Sequence, residues 1–219
     1  MVFEVTGDEI FLNRKALLIM ESYIRILLPI YGVVFLFVIF FLRTVLVWKR
    51  TGVNAYVLLK NGGAQGVIGR YFKILPYFSG LVIVLYSFYP EHYHLLAPFA
   101  WLENQWTLIS GVVLLAITMV FIWVSQTQMG NSWRIGVDED AKTELVTSGV
   151  FQISRNPIFL GMKLNSLGLF LIAPNAITLL VLVVGAALID VQVAMEEKYL
   201  EATHGDEYID YCKQVRRWV

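Results

Sequence analysis

A chain of 219 residues that is 58% hydrophobic and only 16% charged is too apolar for an ordinary soluble domain, in which about a quarter of the residues carry charge. Its 17 basic and 17 acidic residues cancel, so no bulk attraction to nucleic acid is expected. A single cysteine, Cys212, excludes an intrachain disulfide, and with only three histidines there is no Cys/His cluster for a metal.

Mean hydropathy is +0.65, and the apolar residues gather into continuous blocks rather than alternating. Continuous blocks of this kind predict membrane helices, which need roughly 20 residues each, and not a barrel. The expected fold is an all-α integral membrane protein with about five transmembrane helices in the lipid bilayer. The first residues are polar and mixed in charge, without the basic-then-apolar layout of a cleaved signal peptide.

Taken in order, the first span is expected from Ile24 to Val47, with Arg43 near its inner end. The second is expected from Phe72 to Tyr89 and the third from Trp106 to Ser125. The fourth runs from Pro157 to Ala173 and the fifth from Ile177 to Met195. The turn "APNA", Ala173 to Ala176, is short enough to make the last two a helical hairpin.

The basic residues set the expected orientation. Arg43, Lys49, Arg50, Lys60, Arg70 and Lys73 surround the loop after span one, and Arg134, Lys142 and Arg155 follow span three. The loop after span two and the hairpin turn carry no Lys or Arg, while the tail has Lys198, Lys213, Arg216 and Arg217. Loops one and three and the C-terminus are therefore expected in the cytoplasm, against the mild opposing pull of Arg14, Lys15 and Arg25. The "NGGAQG" stretch, Asn61 to Gly66, fits neither phosphate-loop spacing and reads as a flexible turn.

Polar residues at the hairpin carry the chemistry. Asn156-Pro157 is a good helix start, since Asn can cap free N–H groups and Pro fits the first helical position. Span five has no breaker before His204-Gly205, so its helix should continue to Thr203 and project beyond the hydrocarbon. The projecting part begins with "EEKYL", Glu196 to Leu200, close to Arg155 across the short hairpin. Lys163 and Asp190 lie within the apolar layer, where a charge is usually paired or functional; Lys163 either snorkels to the interface or pairs with Asp190. Gly161, Asn165 and Gly168 in span four, and Gly185, Ala186 and Ala187 in span five, are small residues suited to close helix packing.

The stretches "LVTSGVF" (Leu145 to Phe151), "RNPIFLG" (Arg155 to Gly161), "EEKYL" and "HGDEYIDYCKQVRRW" occur in that order. Together they make the chain from Met129 to Val215 resemble the isoprenylcysteine carboxyl methyltransferase family. That family shares with phospholipid N-methyltransferases the signature Arg-His-Pro-x-Tyr-x-Gly followed by Glu-Glu-x-x-Leu. The resemblance implies a membrane-embedded S-adenosylmethionine-dependent methyltransferase, with residues 1–128 as an N-terminal region of three membrane helices and 129–219 as the cofactor-binding region. It implies a cytoplasmic cofactor pocket formed by the hairpin, the lead-in loop and the C-terminal helix. Carried over, Leu145, Val146, Gly149 and Phe151 would line the cofactor, and Asn156, Pro157, Ile158 and Phe159 would continue the lining. Glu196 would hold a polar end, and Arg155, Gly161, Glu197 and Leu200 complete the signature. Arg155, Lys163 and Gln192 are the expected catalytic positions, with Asp190 and His204 as further candidates for a base.

This sequence departs from the signature in four places. Asn156 stands for the usual His, Phe151 and Phe159 each stand for a Tyr, and Gln192 occupies the position of an arginine that would face a substrate carboxylate. A charge-assisted grip on a prenyl-cysteine carboxylate is therefore not expected. The acceptor is left open among lipophilic or small molecules bearing a thiol, an amine or another group. A sterol-reductase-like enzyme using NADPH and a non-catalytic membrane protein that retains the hairpin are the alternative readings.

Overall fold

The computed structural model describes residues 7–52, 63–133 and 144–219, which are almost wholly helical, with no strand among them. α1 (Gly7–Leu36) runs through a π-helical stretch, Phe37–Leu42, into α2 (Arg43–Thr51). α3 (Gly63–Phe88), α4 (Gln105–Met129), α5 (Pro157–Ile172), α6 (Ala176–His204) and α7 (Asp206–Gln214) follow. Four stretches are long and apolar enough to cross a membrane: Leu17–Thr51, Gly66–Phe88, Gln105–Met129 and Ala176–His204. The protein is an all-α integral membrane protein.

The expected fourth membrane helix is present as α5, but it is short. Its 16 residues extend only about 24 Å at 1.5 Å per residue, against a hydrocarbon layer of about 30 Å. None of its residues is exposed. A helix enclosed by neighbours need not match the lipid thickness, because irregular backbone at its ends is shielded by protein.

The other helices differ from expectation mainly in length. Span one is the middle of a much longer helix, and α3 starts well before Phe72. Gly63 to Gly66 are the first turn of α3, not a flexible turn; Asn61 and Gly62 lie outside the described residues, as do Lys60, Arg134 and Lys142. The π stretch leaves a carbonyl for another partner, and Gln126 Nε2 of α4 donates to Ile39 O at 3.1 Å.

Apolar side chains face outward in stripes. Ile26, Ile30, Val33, Phe37 and Phe41 are all exposed along one side of the first helix, the helical spacing of a lipid-facing surface. The inward faces are built for close approach. A Cβ on Gly111 of α4 would lie 2.8 Å from the carbonyl oxygen of Gly168 on α5. One on Gly161 would lie 2.4 Å from Ile122 Cγ1. The small residues of span four thus pack against α4, and Gly185 of α6 faces Leu75 of α3 at 3.5 Å. Between the helices, Asn165 Nδ2 donates to Tyr31 Oη and, at 3.3 Å, to Thr118 Oγ1, tying α5 to α1 and α4.

The two ends of the bundle are distinct. At one end, Asn104 and Asn175 form capping boxes with Thr107 and Thr178 that start α4 and α6. There Phe99 N donates to Pro174 O at 2.8 Å, joining the loop after α3 to the hairpin turn. At the other end, Arg43 donates to Gly130 O at 2.7 Å, and the lead-in loop, the α5 start, α7 and the C-terminal tail converge.

Candidate functional site

The converging end is organised around Glu197. Arg155 precedes α5 and Glu197 lies on the part of α6 that overshoots the hairpin, and the two meet at 2.9 Å through Arg155 Nη2. Arg155 Nε reaches the same carboxylate oxygen at 3.3 Å, and Asn156 Nδ2 reaches it at 3.4 Å. Arg217 bonds the other oxygen, Oε2. Arg155 Nη1 donates to Val215 O at 2.7 Å. Burial opposes the charge of Arg155, yet the hydrogen bonds and charge of Glu197 hold its pKa above the ordinary arginine value. Glu197 likewise holds Arg217 above its ordinary value.

Every donor group of Arg155 therefore has a protein partner. The expectation that it could face a cofactor carboxylate meets a guanidinium already engaged with Glu197 and the tail. Asn156 also departs from expectation, because its side chain caps no N–H of α5 and turns to Glu197 instead. Pro157 does take the first helical position, and the first α5 bond, Leu160 N to Asn156 O at 2.9 Å, is in place.

The two neighbouring acids have different surroundings. Glu197 is saturated with donors, whereas Glu196 accepts no hydrogen bond among the described residues and is half-buried beside it. One turn earlier, Gln192 is 2% exposed, and its Oε1 is buried with no hydrogen-bond partner. Unpaired buried polar atoms are uncommon in folded proteins and call for an explanation.

The lead-in loop is tied to the same end. Gly149 has φ +64°, and a Cβ there would fall 2.4 Å from Gln128 Oε1. That oxygen accepts Val150 N at 2.8 Å, so glycine is required both by conformation and by the approach of Gln128. Phe151 is buried, and its carbonyl accepts the Tyr211 hydroxyl at 2.6 Å. Burial pushes that hydroxyl up to about 12, so it remains a donor at neutral pH. Leu145 and Leu200 pack with Tyr208, Tyr211 and Val215 in one apolar cluster.

Other predicted residues point elsewhere. Ile158 packs with Val47, Trp133 and Met129, on the α2 side. Gly161 faces Ile122 and Phe121 of α4. Val146 and Phe159 are half-buried. Lys163 Nζ pairs with Asp190 Oδ1 at 2.6 Å and lies 3.9 Å from the centre of the Trp218 ring, which resolves the choice between snorkelling and pairing. His204 ends α6, with its Nε2 buried and without a hydrogen bond.

The resemblance brings the C-terminal helix to this end, but the backbone contacts of the last residues were not foreseen. Arg155 N donates to Arg216 O at 3.0 Å, Ser154 Oγ donates to Arg217 O at 3.0 Å, and Ser154 is fully buried. The Arg216-Arg217-Trp218 run was a basic-aromatic signal for this contact, but carbonyl acceptors leave no trace in sequence. Among the described residues no group of three or more His, Cys, Asp or Glu could hold a metal ion.

The model of the phospholipid methyltransferase family matches residues 106–207, a segment that includes α4, the lead-in loop, the hairpin and both signature acids. No curated protein matches the chain. The chain thus shares with a family of membrane methyltransferases the segment whose distant residues Arg155, Asn156 and Glu197 meet in one cluster.

Proposed function

We propose that this protein is a multi-pass membrane methyltransferase that uses S-adenosylmethionine and faces the cytoplasm with the Arg155–Glu197 end. The carrying observation is the convergence of Arg155, Asn156 and Glu197, from separate parts of the matched segment, beside a carboxylate, Glu196, that accepts no hydrogen bond among the described residues. S-adenosylmethionine supplies a methyl group on a sulfonium, an electrophile that needs no metal. The residues present suit it. Glu196 can accept hydrogen bonds from an ammonium or from ribose hydroxyls, and Gln192 Oε1 is a buried acceptor one turn away.

The division of labour follows from the bonding. Glu197, Arg155, Arg217 and Asn156 form the frame that fixes the α6 overhang against the α5 start and the tail. Glu196, on the same helical turn, is thereby held in one position, and pre-organised polar groups bind charge without rearranging. The apolar cluster of Leu145, Leu200, Tyr208 and Tyr211 packs the stretch before α5 against α6 and α7. Methyl transfer is an in-line displacement, so alignment of donor and acceptor can supply much of the rate. Phe151 and Phe159 bring aromatic surface to the lead-in and to the first turn of α5, where a sulfonium would gain from a ring face.

The acceptor is a lipophilic or small molecule. Gln192 is a neutral amide where a carboxylate-binding arginine would stand, so a carboxylate loses its charge-assisted partner. Lys163 is held by Asp190 and covered by Trp218, so it acts as a positioning residue on this reading. The test is transfer of labelled methyl from S-adenosylmethionine into lipid extracts, small thiols and amines, and prenylated peptides, with NADPH binding measured in parallel. Label in a thiol, amine or lipid fraction supports the reading. Binding of NADPH alone, or of neither cofactor, overturns it.

A further inference from the structure

The opposite end of the bundle holds a cavity with polar lining. It measures about 160 Å³, roughly ten times the space that one water needs. Three charged side chains line it: Glu21 and Arg25 from successive turns of α1, and Glu103 from the loop before α4. Tyr86 and Tyr93 form an aromatic wall, edge to face at 5.5 Å. The cavity is separated from Glu197 by the length of the bundle, because its floor includes Pro174 in the hairpin turn.

Two of the neutral polar groups here are already committed. Asn104 caps α4 through its side-chain oxygen, and the Tyr93 hydroxyl receives Asn175 Nδ2 at 3.3 Å. The charged groups make only one loose ion pair. The Arg25 to Glu21 approach is 3.8 Å, too long for a hydrogen bond. Arg25 Nε is buried with no hydrogen-bond partner, and the guanidinium lies 5.7 Å from the Tyr86 ring centre. Neither carboxylate accepts a hydrogen bond among the described residues. Both side chains on α1 stay partly open to solvent, at 36% and 26% exposure, so a guest can enter.

We infer that this cavity binds a small zwitterion, with an ammonium held between Glu21 and Glu103 and an anionic oxygen a few atoms away held by Arg25 Nε. Two carboxylates and one guanidinium leave one net negative charge, which a guest with only an anion would worsen. A guest with only a cation would leave Arg25 Nε unpaired. Tyr86 and Tyr93 add ring faces that favour an ammonium. The same chemistry is found in a dissolved amino phosphodiester and in the headgroup of a zwitterionic lipid at the bilayer surface.

The full-length protein in phosphatidylglycerol nanodiscs is titrated calorimetrically with glycerophosphoethanolamine, whose phosphodiester and ammonium charges cancel. In a second arm, protein in nanodiscs containing phosphatidylethanolamine is examined for retained lipid by native mass spectrometry. Saturable binding in the first arm identifies the dissolved form, and retention in the second alone identifies the headgroup. In either case Glu21→Gln and Arg25→Gln are expected to weaken binding by about ten-fold or more, as loss of a charge-assisted bond requires. Glu103→Gln, at an exposed rim position, tests the second carboxylate if the α1 variants fail to insert, and several-fold weakening is expected. Binding in neither arm, or equal binding by wild type and the inserted variants, overturns the inference.

Discussion

Arg155 and Glu197, 42 positions apart in the chain, meet at 2.9 Å with both side chains only 13% exposed. The pair joins the start of one hairpin helix to the overhang of the other, and Arg217 and the tail carbonyls complete it. Removing one member of such a pair strands the remaining charge. Glu197→Gln should therefore destabilise the protein by about 2–4 kcal/mol, close to the range for buried pairs, seen as lower thermal stability in detergent. Exchanging the two residues should not restore it, because a glutamate at 155 would face the Val215 carbonyl.

Deleting residues 216–219 tests the tail as part of the same frame. The deletion removes the carbonyls that accept Arg155 N and Ser154 Oγ, the Arg217 partner of Glu197, and the ring over Lys163. Cofactor affinity should fall by about ten-fold or more, the scale of one lost hydrogen bond to a charged group. Trp218→Phe should retain most of it. Equal affinity in the deletion would show that the tail does not order the site.

Lys163 and Asp190 pair at 2.6 Å, but Asp190 is about half exposed. A coupling of about 0.5–1 kcal/mol is expected from a double-mutant cycle of Lys163→Met and Asp190→Asn, in keeping with partly exposed pairs. A much larger coupling would indicate that lipid, not water, surrounds Asp190.

The α4–α5 seam depends on Gly111 and Gly168. Gly168→Val places new atoms where Leu115 Cδ2 already lies within 2.8 Å of a Cβ. Overpacking of this type costs about 1–3 kcal/mol, measurable as a lower melting temperature. Gly80→Ala, at an open position, should change little.

Orientation is testable with reporters. A C-terminal reporter should be active in the cytoplasm, whereas one inserted near His92 should be active only on the other side.

The sequence made the membrane fold legible because apolar blocks of bilayer length are hard to read otherwise. It also made the meeting of Arg155 with the Glu196-Glu197 end legible, since a short hairpin turn leaves little freedom in where the two helices end. Three features were hidden. The shortness of α5 depends on its enclosure, which only packing reveals. The partners of Gly161 and Gly168 lie on α4, and composition cannot say which neighbour a small residue faces. The contrast between Glu196 and Glu197 depends on Arg217 and on backbone carbonyls of an aperiodic tail.

The most direct measurement is calorimetric binding of S-adenosylmethionine to the purified protein and to Glu196→Gln. Glu196 accepts no hydrogen bond among the described residues, so its variant should fold with unchanged thermal stability and bind the cofactor about ten-fold or more weakly, as for a lost bond to a charged group. Undiminished binding by a stable Glu196→Gln protein, or no binding by wild type, would contradict the account.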